Sequence, residues 1–166
     1  MVSFVSARQV ALTLVAAVVV LAPHPAPAQT QDVLTEHRVA DIQYVGQIAA
    51  SPDGGQVAYT VIVPREPFVD ADGPASSHLY LLDVATGESR LFVGGEVNIS
   101  GLRFSPDGGS VLYLSRREGD RNRVLYSIPV GGGESTRLLE HSTTIGSYTL
   151  RPTGDRVAFM ATDPEP

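Results

Sequence analysis

Ser89 and Ser135 come nearest to the surroundings of a catalytic nucleophile, since each follows a glycine by two places, Gly87 and Gly133. A nucleophile elbow needs Gly-x-Ser-x-Gly, because two flanking glycines let the chain turn sharply enough to expose the hydroxyl. Here the second glycine is replaced by Leu91 and Arg137. Both serines are expected on strand surfaces, and no catalytic residue is assigned. The densest cationic group is Arg116, Arg117, Arg121 and Arg123, interrupted by Glu118 and Asp120. An arginine could grip a carboxylate such as a peptide terminus through paired hydrogen bonds. Alternating signs instead favour an exposed mixed-charge loop.

Asp70-Ala71-Asp72-Gly73 opens like a calcium loop, but its twelfth place is Leu81 where a bidentate Glu is required. His37, His78 and His141 show no metal-ligand spacing. Asn98-Ile99-Ser100 is a glycosylation sequon that means little without a eukaryotic secretory route. Gly131 to Gly133 lacks the lysine of a phosphate loop. No metal site and no cofactor is expected from these patterns.

The elements that position these residues are repeats. Three segments align without gaps, starting at Ile48, Leu102 and Tyr148 and ending at Tyr59, Tyr113 and Phe159. The first two share Ser-Pro-Asp-Gly, at Ser51 to Gly54 and Ser105 to Gly108. Proline sets the second turn position, Asp tolerates the third, and glycine takes the strained exit. Apolar residues alternate with period 2 on either side, as half-buried strands require. The third copy departs at Arg151, Thr153 and Asp155 but keeps Pro152, Gly154, Val157 and Phe159.

A second shared element begins at Leu79-Tyr80 and Leu125-Tyr126, offset by 46 residues against 54 for the turns. The unit is therefore about 46 residues, with eight extra in the connection from Pro64 to Ser77. Such a unit suits four short antiparallel strands. In the first unit these fall at 48–50, 57–63, 78–83 and 88–92. The fold class is all-β, a partial β-propeller with two full blades and the start of a third. The repeats span 48–93, 99–139 and 145–166 within 48–166, after a lead-in at 29–47 that includes a short helix at Asp32 to His37.

Residues 1–28 read as a secretory signal peptide. Arg8 precedes an apolar run from Val10 to Ala22, and Ala26-Pro27-Ala28 offers small residues to the peptidase. The run falls short of the roughly 20 residues that span a bilayer. Export to the periplasm or medium is expected, with no membrane association after cleavage. Loss of Arg8 takes the formal charge from −6 to −7, which disfavours nucleic acid as a partner. All 12 basic residues are arginine and there is no cysteine, so disulfides, thiolate chemistry and Cys-based metal sites are excluded.

The Ser-Pro-Asp-Gly strands, together with Leu114 to Gly119 and Leu125 to Glu134, resemble the N-terminal propeller of prolyl oligopeptidase-family serine peptidases. The acylaminoacyl-peptidase-like and dipeptidyl-peptidase-like branches are the most similar. Arg38 to Asp41 and Ala161 to Pro164 share that character. The resemblance implies that catalytic serine, aspartate and histidine belong to a separate C-terminal α/β-hydrolase domain, which the propeller covers while admitting short peptides. Propellers close with about four to eight blades. The expected partners are therefore the remaining blades or the hydrolase domain, with peptides as substrates. A Tol-type periplasmic scaffold, built on related blades to bind proteins, is the alternative. The first blade here directly follows a short helix with no preceding domain, which disfavours it.

Overall fold

The computed structural model describes residues 42–66 and 68–163. The signal segment, the expected helix at 32–37 and His37 lie outside these residues.

Among the described residues ten strands form three antiparallel sheets. β1 (Tyr44–Ala50), β2 (Gln56–Val63), β3 (Ser76–Asp83) and β4 (Ser89–Val93) pair in chain order as blade 1. β5 (Ser100–Phe104), β6 (Ser110–Ser115), β7 (Val124–Pro129) and β8 (Thr136–Leu139) repeat the arrangement as blade 2. β9 (Ile145–Leu150) and β10 (Val157–Ala161) form the third sheet. Among the described residues no helix is long and apolar enough to cross a membrane.

The turn chemistry works as its residue types predict. Gly54, Gly108 and Gly154 donate their N–H to the carbonyls of Ser51, Ser105 and Arg151 at 2.8–2.9 Å. Each has φ between 73° and 77°, a region closed to most side chains. Asp53 and Asp107 each accept from the preceding serine hydroxyl at 2.5 Å and from the N–H of Gly55 or Gly109 at 3.0 Å. The serine hydroxyl bond, followed by the glycine N–H, holds each carboxyl below its ordinary range.

In the third copy Thr153 donates to Asp155, so the acceptor moves two places while the turn survives. Register survives too. Val57 faces Ala50, Val111 faces Phe104 and Val157 faces Leu150. Successive turns also lie close, since a Cβ at position 108 would stand 3.5 Å from Pro52 and one at position 154 would stand 3.8 Å from Pro106.

Two extents differ from the sequence reading. β1 begins at Tyr44, before the apolar alternation at Ile48, because a bulge between Val45 and Ile48 interrupts the pattern while pairing continues. The eight extra residues are shared between strands and loop. β2 and β3 have eight residues each where β6 and β7 have six, which leaves the rest in the connection at 64–75.

The core lies between sheets. Ala58, Leu79, Leu81 and Val93 of blade 1 pack against Leu102, Phe104, Val111, Tyr113, Tyr126 and Ile128 of blade 2. The opposite face of blade 2, through Leu112, Leu114 and Leu125, packs against Ile145 and Tyr148. β6 is consequently buried along both faces from Val111 to Ser115. A strand so placed reads as a continuous apolar run rather than an alternation.

Candidate functional site

The four arginines singled out in the sequence part company. Arg116 and Arg121 are exposed. Arg123 is half-buried, and its carbonyl accepts from the Ile145 N–H at 3.4 Å. Only Arg117 turns inward. Its guanidinium lies 4.6 Å from the Tyr126 ring centroid and 5.7 Å from that of Tyr113. It donates to the Tyr113 hydroxyl and, at 3.1 Å, to Ser135 Oγ. The expectation of an exposed mixed-charge loop therefore fails at its centre, because two stacked aromatic rings offer a cation a better surface than water does.

Asp120 departs further from that expectation. Its side chain is fully enclosed, an expensive place for a charge unless it is paired and hydrogen-bonded. Oδ2 accepts from the Arg117 N–H at 2.8 Å and from the Tyr126 hydroxyl at 2.7 Å. Oδ1 lies 2.7 Å from Arg137 Nη2 as an ion pair, although no N–H is aligned on it as a hydrogen bond. Burial, and then the bond to Asp120, raises the Tyr126 hydroxyl above the ordinary phenol range. The Tyr126 hydroxyl, and then the Asp120 charge, raises Arg137 in turn. The cluster is an ion pair tied down by the Arg117 N–H and the Tyr126 hydroxyl.

A motif shared by both blades underlies this cluster. Tyr59 stacks on Tyr80 at 5.4 Å, and the Tyr59 and Ser89 hydroxyls are 2.7 Å apart. Tyr113 stacks on Tyr126 at 5.8 Å and donates to Ser135 at 2.7 Å. The two elbow-like serines thus occupy equivalent positions bound to tyrosines, with no histidine among their partners in the described residues. Ser89 opens β4, and Ser135 immediately precedes β8. Blade 2 adds Arg117, Asp120 and Arg137 to a pattern that blade 1 keeps neutral, with Leu91 in the place of Arg137. The repeated Tyr-Tyr-Ser spacing was the available sequence signal.

The first strands of the three sheets line a cleft of about 440 Å³ bordered by Ile48, Pro52, Leu102, Arg103, Pro106 and Leu150. Bulges shape its wall. Gly101, at φ 62°, exposes its carbonyl to the Tyr148 hydroxyl at 2.7 Å. The Leu102 N–H is left to Gln47 Oε1 at 3.0 Å. These bonds join β1, β5 and β9 across blades, and burial raises the Tyr148 hydroxyl well above its ordinary range. Arg103 is the exposed cation of this wall.

The remaining candidates are local. Asp70 Oδ2 accepts from the Glu66 N–H at 2.8 Å, closing its own loop. His141 bonds Thr143 and tilts against Phe159, and His78 sits within β3. Asn98 is exposed and donates to the Ala75 carbonyl at 3.4 Å. Among the described residues no group of three or more His, Asp or Glu side chains gathers as metal ligands.

No family model matches the chain. Over 119 residues, 72% of its length, the chain is 29% identical to the uncharacterized peptidase YuxL of Bacillus subtilis (strain 168). It covers 16% of that protein. Among solved structures, a TolB candidate from Agrobacterium tumefaciens matches 74% of the chain with a TM-score of 0.53 and 24% identity, and the chain covers 39% of it. TolB from Acinetobacter baumannii matches 69% with a TM-score of 0.49 and 23% identity, and 26% of it is covered. With the sheets described above, the Agrobacterium likeness defines the chain as β-propeller in fold. The chain spans well under half of each of these proteins.

Proposed function

We propose that this chain supplies propeller blades that screen peptides for a serine-peptidase centre carried outside residues 1–166. The observation that carries this reading is the 29% identity with an uncharacterized peptidase over 119 residues. The interior chemistry agrees with it. Ser89 and Ser135 are bound to tyrosine hydroxyls and Asp120 is paired with Arg137, which suits blades that act by shape and recognition. Export follows from the signal-like residues 1–28 and belongs to the same proposal, with mature protein starting at Gln29.

The test is to recover the protein from its native cells with an antibody against residues 42–163, label it with a fluorophosphonate, and map the modified peptide. A labelled serine in the recovered protein outside residues 1–166 is expected. Labelling at Ser89 or Ser135, or a recovered protein that takes no label, would overturn the reading. N-terminal sequencing of the same material checks cleavage after Ala28.

A protein-binding scaffold of the Tol type is the second reading, favoured by the blade geometry shared with the Agrobacterium structure. It predicts an unlabelled protein recovered with a stoichiometric protein partner.

A further inference from the structure

Arg117 is a guanidinium with most of its hydrogen-bonding capacity unspent. Among the described residues only its Nη2 has acceptors, the Tyr113 hydroxyl and Ser135 Oγ. Nη1 has none, and Nε is enclosed without one, which is uncommon for a buried donor. Asp120 does not neutralise this charge, since its carboxylate pairs with Arg137 and takes only the main-chain N–H of Arg117. Ser135 is in the same condition. Its oxygen accepts from the Tyr113 hydroxyl at 2.7 Å and from Arg117 at 3.1 Å, so its own O–H remains to be donated. Blade 1 builds the same Tyr-Tyr-Ser arrangement with Val63 in the place of Arg117, so the fold of a blade does not call for the arginine.

Arg117 and Ser135 line one cleft of about 350 Å³ between blade 1 and the β7–β8 hairpin of blade 2. It is separate from the cleft lined by the first strands, and both blades that form it have all four strands. Glu134 borders it with a carboxylate that pairs with no cation among the described residues. Phe92 and Ile128 supply an apolar side. A cation and an anion that line one cleft without pairing with each other suit a ligand that carries both charges. We propose that this cleft binds a free α-amino acid whose apolar side chain is of leucine size. Its carboxylate accepts charge-assisted hydrogen bonds from Arg117 Nη1 and the Ser135 hydroxyl. Its ammonium donates to Glu134, and its side chain packs on Phe92 and Ile128. The proposal does not rest on the peptidase reading.

Calorimetric titration of the whole protein with leucine, leucinamide and N-acetylleucine tests this. Leucine should bind saturably. The amide and the acetyl derivative, each lacking one charge, should bind more weakly by about ten-fold or more, the loss of one charge-assisted hydrogen bond. Arg117→Gln should weaken leucine binding by the same factor. Because that guanidinium also packs on Tyr126, a second variant separates binding from folding. Glu134→Gln, at an exposed position, should leave the thermal unfolding temperature unchanged and remove the advantage of leucine over N-acetylleucine. In the unsubstituted protein leucine should slow amide exchange at residues 132–135. No saturable binding, equal binding of the three compounds, full leucine affinity in Glu134→Gln, or protection confined to other segments would overturn the proposal.

Discussion

The most consequential single side chain is Asp120, an enclosed carboxylate that joins a loop, β7 and β8. Its truncation strands the Tyr126 hydroxyl and the Arg117 N–H and leaves Arg137 without its ion pair. Breaking a buried pair costs about 3–5 kcal/mol, and the partial exposure of Arg137 places Asp120→Ala near the lower end, about 3 kcal/mol. Urea denaturation of the variant measures this. The turn carboxylates act differently, because Asp53 and Asp107 are solvent-facing and bound to hydroxyls and N–H groups. Their folded-state pKa is lowered, so their stabilisation is complete above the unfolded value of about 4 and fades as pH falls through the folded value. The stability gap between the unsubstituted protein and Asp107→Asn should therefore be full at neutral pH and close below about pH 4, in denaturation curves taken at a series of pH values. Such residues differ in how legible they are. Asp107 announces itself inside a four-residue turn, whereas the role of Asp120 requires Arg137, which reaches it only after β7 and β8 have paired.

The strands were largely readable because glycine and proline punctuate them and because the same turn recurs three times. The extent of β1 was not, since a bulge breaks the period-2 pattern without ending the pairing. The matching bulge in β5 rests on Gly101, where a side chain would have φ 62° and a Cβ 3.2 Å from the Tyr148 ring and 3.3 Å from Leu114. Gly101→Ala is expected to destabilise by about 1–3 kcal/mol through backbone strain and crowding. Its signature is a selective rise in amide exchange along β5 and β9, because the Tyr148 bond to the Gly101 carbonyl is the contact disturbed. The inserted residues show the same limit of sequence reading. Spacing counts them, but only pairing reveals that half of them extend a hairpin.

The blades cohere through faces that one sequence repeat cannot describe alone, because each apolar residue meets a neighbour some 46 residues away. Leu79 is fully buried on the face of blade 1 that receives blade 2. Leu79→Ala should cost about 2–5 kcal/mol through lost burial and the cavity left behind. Repeat arrays owe much of their stability to such interfaces, so both blades should lose protection together in hydrogen exchange. The closeness of position 108 to Pro52, and of position 154 to Pro106, has a geometric consequence of its own. Each turn stands about one methyl group's width from the proline of the turn before it, so the repeats step round in a regular row. A circle shared among four to eight blades allows roughly 90° to 45° per step. A methyl group at position 108 would fill that gap without moving Pro52, so the demand for glycine there comes from the backbone at φ 73° rather than from the packing of one turn on the next.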